Sequence, residues 1–395
     1  MKLLQINVTA NWGSTGKIAE SIGIMAIRQG WESYLAYGRY CNPSQSQLIS
    51  IGTSLDTYWH YGVQRIMDNE GLCSTLATRN LVREIQRIKP DVVQLHNIHD
   101  HYLNYRVLFE YLNQTDIQVV WTFHDCWAFT GHCFHFVTKG CEKWKTGCHH
   151  CPLRNEYPKT LLDRSTRNYE WKKKLFTANR NLTIVPCSEW MEGFVRQSFF
   201  REKEIRVIRN GVDINVFSPQ SSLPKKDKFG VIAVSSVWNK EKGLDDIYRL
   251  RGMLSGDIEM TIVGLSAKQK NALPDGIRGI ERTQNVQGLV QLYNEADVLI
   301  NPTYADTFPT VNLEALACGT PVITYQTGGS PEAVDEKTGI VVPQGDVEAL
   351  ADAIRKLKER PLSAQDCRKR IETYFDKNKC FEQYINLYNR LLKNK

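Results

Sequence analysis

The chain has 395 residues, 42% of them hydrophobic and 24% charged, with a formal net charge of +7 and 11 cysteines. That is enough apolar material for two or three packed cores, which excludes a disordered or fibrous protein, and no apolar run approaches the roughly 20 residues that span a bilayer. The mild basic excess suits anionic ligands but lacks the charge density of a nucleic-acid binder, so no nucleic-acid partner is expected.

In chain order, Leu3 to Val8 reads as a strand rather than a signal peptide, because Asn7 and Asn11 interrupt the apolar run. Free of an export signal and carrying cysteines scattered through apolar contexts, the chain is expected in the reducing cytoplasm, without disulfides. Gly13-Ser-Thr-Gly16-Lys17 follows the first strand, and its glycines allow close backbone approach to substrate near phosphates. It is not a P-loop, since Asn11 occupies the place of the earlier glycine and Ile18 that of the Ser or Thr. Further short apolar runs at Tyr34 to Tyr37, Val92 to Leu95, Val119 to Phe123, Thr183 to Pro186 and Ile205 to Ile208 alternate with helical stretches, which predicts a parallel sheet. Trp171-Lys172-Lys173-Lys174, preceded by Arg164 and Arg167, is a basic run able to touch anionic lipid headgroups or to form a solvated helix face.

The stretch from Phe217 to Lys228 lacks apolar periodicity and reads as a linker, with the boundary placed near 220. The pattern then restarts, with strands predicted at Phe229 to Ser235, Glu259 to Val263, Val298 to Asn301 and Val322 to Thr324, and helices beginning near Gly243, Val286 and Thr310. From Val347 onward, helical spacing predicts helices that close the structure. The expected fold is therefore α/β: two Rossmann-like, doubly wound domains at 1–220 and 221–372, and a helix at 373–395 packing back toward the first. Ligands are expected at the carboxyl ends of the strands, in the crevice between the domains.

Five cysteines lie between Cys126 and Cys151, in an insertion spanning 126–155. Cys148-His-His-Cys151 has the spacing of half a zinc knuckle, and Cys133 with Cys141 would complete a structural four-sulfur site. Reduced, partly buried thiols are the simpler alternative.

The most informative segment runs from Val298 to Ile323 and reads as strand, loop, helix, stop, strand. Pro309 suits the beginning of the helix, Gly319 its cap, and Pro321 forbids continuation. The helix start would offer the N–H groups of Thr310 and Val311 to diphosphate oxygens, and Glu314 two acceptor oxygens to the ribose hydroxyls.

Asp306, seven intervening residues, Glu314, an alanine-rich helix and Gly319-Thr-Pro321-Val resemble the signature of the retaining GT-B glycosyltransferases of family 4. Asn210-Gly-Val-Asp213, Lys242-Gly243 and Gly328-Gly-Ser-Pro-Glu332 extend the resemblance over nearly the whole chain, and His124-Asp125-Cys-Trp together with the Gly13 segment places it nearest the polysaccharide, exopolysaccharide and capsule branch. The resemblance implies transfer of a sugar, with retention, from a nucleotide-diphosphate donor to a glycan or lipid-linked acceptor at the inner membrane face. No cofactor or catalytic metal is implied, and no Asp-x-Asp motif stands in a setting suited to one. His124, Lys242, Asp306 and Glu314 take the catalytic places. Gly13, Gly16, Ser236, Lys240, Phe308, Pro309, Thr310 and Val311 are expected on the donor, and Asp125 on the acceptor side. Two departures stand out: Asp306 replaces the usual glutamate, and Val237 stands where the family often has an arginine, whose charge Lys240 is placed to supply. A nucleotide-sugar epimerase of the same fold and a non-catalytic sugar-binding subunit are the alternatives.

Overall fold

The computed structural model describes residues 1–220 and 227–393. Two compact units form, one from Met1–Ile208 with Phe381–Lys395 and the other from Arg209–Cys380. The first contains β1 (Lys2–Asn7), α1 (Gly13–Arg28), β2 (Glu32–Tyr37), β3 (Gln47–Ser50), α2 (Ser54–Met67), α3 (Thr75–Ile88), β4 (Val92–Leu95), α4 (Tyr105–Leu112), β5 (Gln118–Phe123), α5 (Ser165–Ala178), β6 (Leu182–Pro186), α6 (Glu189–Gln197) and β7 (Glu204–Ile205). Its sheet runs β3-β2-β1-β4-β5-β6-β7, and every pairing is parallel. Order reverses between β1 and β4, the switch point at which such sheets bind ligands. Helices cover both faces, so β4, β5 and β6 are buried at every residue and are mostly apolar, with Gln94, Gln118, Thr122 and Thr183 as their polar members.

The second unit contains β8 (Phe229–Val234), α7 (Leu244–Met253), β9 (Ile258–Val263), α8 (Ala267–Asn271), β10 (Ile277–Ile280), α9 (Val286–Glu295), β11 (Val298–Asn301), α10 (Thr310–Ala317), β12 (Val322–Tyr325), β13 (Gly339–Val342), α11 (Val347–Glu359), α12 (Ala364–Tyr374) and the start of α13 (Lys377–Lys393). Its parallel sheet runs β10-β9-β8-β11-β12-β13, with the switch between β8 and β11.

The division falls after Ile208, ahead of the expected 220, because the segment that follows is bonded to the second unit. Arg209 pairs with Glu332 at 2.8 Å, and the Arg368 guanidinium of α12 donates to the carbonyls of Ile214 and Phe217. The middle of the expected linker, 221–226, lies outside the described residues. From Phe381 onward α13 belongs to the first unit, where it satisfies two polar groups inside an apolar sheet. Tyr388 donates to Gln94 of β4 at 2.9 Å, and the Tyr384 and Thr122 hydroxyls lie 3.0 Å apart.

The basic run is not one solvated face. Lys172 is buried, its ammonium 3.4 Å from the centre of the Trp127 ring and bonded to the carbonyls of Trp127 and Thr130. Burial lowers its pKa to about 7.

Candidate functional site

In the second unit the site grows from the loops that follow β8 and β11. Asn239 accepts the backbone N–H of Lys242, turning the chain so that Gly243 takes φ +75, where a Cβ would lie 2.1 Å from the Pro302 carbonyl oxygen. This close crossing brings Lys242 to the loop after β11, and its ammonium donates to Asp306 at 2.6 Å. The other Asp306 oxygen accepts the N–H of Phe308 at 3.2 Å. That two-residue ring closes on an aspartate side chain, which gives the shorter acid a role in shaping its own loop. Gly328 takes φ +57, where a Cβ would lie 1.7 Å from the Asp306 carbonyl oxygen.

Helix α10 begins at Thr310 behind Pro309, and no side chain caps it, so its first N–H groups lack intrahelical partners. A buried polar chain anchors it: Asn301 donates to Asn312 at 2.8 Å, Asn312 to Ser330 at 2.9 Å, and Ser330 meets Thr324 at 2.6 Å. Thr310, Val311 and Glu314 are half-buried rather than packed inside. Tyr293 donates its hydroxyl to Glu314 at 2.9 Å. Burial, together with the Glu314 charge, raises the Tyr293 pKa far enough to keep that proton in place. Two donor assignments need correction. Phe308 is a buried side chain packed near Phe375, with ring centres 5.8 Å apart, so only its backbone can serve a ligand. Pro309 is also buried and has no N–H to offer. Ser236 and Lys240 are exposed, as is Val237.

In the first unit Gly13 opens α1 at φ +65 with no atom near its missing Cβ, whereas a Cβ on Gly16 would lie 2.6 Å from the Thr9 hydroxyl oxygen. Gly16 is therefore explained by packing within its own loop. After β5, Nε2 of His124 lies 3.2 Å from Nδ1 of His96, whose Nε2 meets Gln5 at 3.1 Å. Asp125 contacts Nε2 of His99 at 2.8 Å and accepts the N–H of Trp127 at 2.9 Å. Beyond it, Asp100 and His101 have positive φ, and their N–H groups donate to Glu70, which also lies 2.9 Å from the His101 ring. The run His96-Asn-Ile-His99-Asp100-His101 at the end of an apolar strand is the signal that sequence reading passed over.

Charge in this cluster is unevenly divided. Burial opposes a proton on His99, but Asp125 and Asp100 outweigh it and hold the pKa at about 10. Burial lowers His124 to about 4, with Asp125 opposing and His99 adding to the shift, and lowers His60 to about 4 and His96 well below its usual range. Groups whose folded pKa is depressed contribute stability that is complete above the unfolded value of 6.5 and lost as pH falls toward 4. The His99 contribution runs the other way, complete below 6.5 and lost through about 10. Three imidazoles that must discharge predict a loss on the order of 3 kcal/mol per pH unit just below pH ~6. Circular-dichroism melting curves on either side of that range should show it, and an unchanged midpoint would mean that these rings take up protons without unfolding.

The insertion after β5 packs against the first core through Cys133, Cys141, Cys148 and Cys151, all free thiols. A hydrogen bond with Cys133 lowers the Cys151 pKa to about 7. The Gly131 N–H donates to Cys148 sulfur at 3.2 Å. Among the described residues no three His, Cys, Asp or Glu side chains are arranged to hold a metal ion, so the zinc reading rests on spacing alone.

Residues 26–216 match the Glycosyltransferase Family 4 profile, and residues 228–360 match that of the Glycosyl transferases group 1. The chain is 25% identical over 418 residues to the putative colanic acid biosynthesis glycosyl transferase WcaC of Escherichia coli K12, covering 99% of this chain and 100% of that one. Sucrose-phosphate synthase from Thermosynechococcus elongatus shares the fold with a TM-score of 0.76 at 17% identity, covering all of both chains. The Anabaena protein HepE, solved with UDP, has a TM-score of 0.69 at 15% identity and covers 99% of this chain and 100% of its own. Two Rossmann-like units, each a parallel sheet with a switch point, make up the GT-B fold. The chain belongs to the group 1, family 4 glycosyltransferases.

Proposed function

We propose that the chain transfers a hexose, with retention and without a metal ion, from a nucleoside-diphosphate sugar to a glycan or lipid-linked acceptor in cell-surface polysaccharide assembly. The observation that carries the donor reading is the uncapped start of α10 beside the Lys242–Asp306 pair, with Glu314 held by Tyr293 one turn along. Backbone N–H groups and an ammonium suit a pyrophosphate, and a fixed carboxylate suits ribose hydroxyls. The WcaC relative supports the polysaccharide setting, and HepE with bound UDP supports a uridine donor as the first to try.

In the transfer, the bond from the anomeric carbon to the diphosphate oxygen breaks and its electron pair stays on that oxygen. The acceptor hydroxyl oxygen bonds to the anomeric carbon on the same face and passes its proton to the departing phosphate. Lys242 and the α10 N–H groups counter the charge on the leaving group. His124, held neutral, offers the donor sugar a hydrogen bond without competing for that charge. Asp125, charged and fixed by His99, orients a hydroxyl.

A thermal-shift panel of nucleoside diphosphates tests this reading, because a ligand that binds only the folded chain raises its melting point by mass action. UDP at about 100 times its dissociation constant should add about 2.7 kcal/mol, with or without EDTA. No shift with any nucleoside diphosphate would remove the donor site, and a shift abolished by EDTA would remove the metal-free part. An epimerase would isomerise the donor when no acceptor is present.

A further inference from the structure

The first unit carries a shelf of aromatic rings at the carboxyl ends of its strands, on the same edge of the sheet as His124 and Asp125. The loops after β1 and β2 are tied together there. Ala10 and Cys41 form a parallel bridge, the Ala10 N–H donates to the Tyr40 carbonyl at 3.0 Å, and the Asn42 N–H donates to that of Ala10 at 3.0 Å. Side chains add to the tie, Asn42 donating to the Asn11 carbonyl and Asn11 to that of Pro43. The rings of Trp12 and Tyr40 are thereby held with centres 4.8 Å apart, yet remain 48% and 53% exposed. Single exposed apolar residues need no explanation, but two large rings fixed side by side in water do.

A second platform stands beside the loop after β4. The Tyr157 ring, 59% exposed, packs against Phe134 with centres 5.3 Å apart, and Phe134 stacks on His99 at 4.3 Å. The Tyr157 hydroxyl donates to Asp100 at 2.6 Å, and Asp100 keeps 22% of its side chain exposed. Asn11, Asp100 and His101 all take positive φ, the kind of strained backbone that gathers at ligand-binding loops. The two platforms adjoin: Gly38 packs directly on Tyr102 of the β4 loop, where a Cβ would lie 2.1 Å from the ring. Arg39, next in the chain, lies over the Tyr40 ring at 5.6 Å, and its charge reaches the Tyr157 phenol.

We infer that this shelf binds the acceptor glycan across at least two consecutive sugars, one stacked on Trp12 and Tyr40 and the other on Tyr157, with Asp100 and Arg39 taking hydroxyls. The C–H faces of a pyranose are apolar and its rim is polar, so exposed rings bordered by a carboxylate and a guanidinium match a saccharide. Rings fixed before binding also avoid the ordering cost that a flexible loop would carry. One platform would serve a single sugar, whereas two call for a chain. At least one glycosyl transfer must then precede this one, and the enzyme extends a glycan rather than starting it. The inference rests on the transferase reading and adds the size of the acceptor.

The test begins in the cell that makes the chain, with K242M/E314A in place of the wild type so that the unused acceptor accumulates. Mass spectrometry of the glycan released from lipid by mild acid should show an accumulated saccharide of two or more sugars. That saccharide is then the probe for the purified full chain. W12S/Y40S and Tyr157→Ser should each raise its KM at least about ten-fold, while UDP still raises their melting points as it does for the wild type. The terminal monosaccharide alone should cost the wild type at least about ten-fold in kcat/KM. Should either shelf variant lose its circular dichroism, the sugar count of the accumulated intermediate decides alone. A one-sugar intermediate, or an unchanged KM in both shelf variants, would overturn the inference. No accumulation in K242M/E314A and no UDP shift in the wild type would sink the transferase reading itself, and the inference with it.

Discussion

Replacing Lys242 by methionine is expected to lower kcat by at least about 2 kcal/mol in transition-state terms, about thirty-fold in rate. The ammonium donates to Asp306 at 2.6 Å, and that loop runs into α10, so the charge is placed where a diphosphate meets the helix start. Methionine keeps most of the volume and removes the charge. Asp306 is partly solvated, with 23% of its side chain exposed, so water can replace the lost partner and the fold should survive. Charge developing on the leaving group is felt mainly in the transition state, so kcat should fall more than donor KM rises. Glu314→Ala should differ, raising donor KM along with its loss of rate, because a ribose contact is made before and during transfer alike. Wild-type turnover in both variants would exclude this assignment.

Gly328→Ala is expected to be strongly damaging on the donor side. Its φ of +57 is strained for alanine by about 1–2 kcal/mol, and the added carbon would lie 1.7 Å from the Asp306 carbonyl oxygen. Backbone cannot rotate aside as a side chain does, so the Asp306 loop must shift, taking the Lys242 partner with it. Gly140 has the same φ of +57 with nothing near its missing Cβ. Gly140→Ala therefore measures the backbone strain alone. Urea unfolding should show Gly328→Ala losing at least about 2 kcal/mol more than Gly140→Ala, with transfer lost as well. Equal losses in the two variants would mean that the loop yields without cost.

The sequence spoke most clearly where burial on both faces of a strand made most of its residues apolar, with single exceptions such as Gln94, Thr122 and Asn301. β4, β5 and β11 were legible to within a residue or so as short apolar runs, and the starts of α9 and α10 followed from their flanking residues. The edge strands β3, β10 and β13 were not, because one side of an edge is open to water and Gln47-Leu-Ile-Ser or Ile277-Arg-Gly-Ile alternates too weakly to register. Of the site, Lys242, Asp306 and Glu314 were found by motif, and the structure supplied their pairings. Phe308 and Lys172 were misread because sequence does not say which way a long side chain points: the ring turned inward, and the ammonium found an aromatic face and two carbonyls. The histidine run after β4 was visible, but its worth depended on Asp125 and Glu70, 26 and 31 residues distant from their partners His99 and His101.

The last helix has a bearing on how the chain comes off the ribosome. Gln94 and Thr122, placed by two of the earliest strands, complete their bonding only with Tyr388 and Tyr384. Until synthesis is all but finished, the nascent amino-terminal half has only the Gln94–Thr122 bond at this seam and lacks the two tyrosine hydroxyls that complete it. A stop codon before Phe381 would strand that seam for good, so a trivial-looking truncation should produce insoluble protein rather than a slightly shorter enzyme.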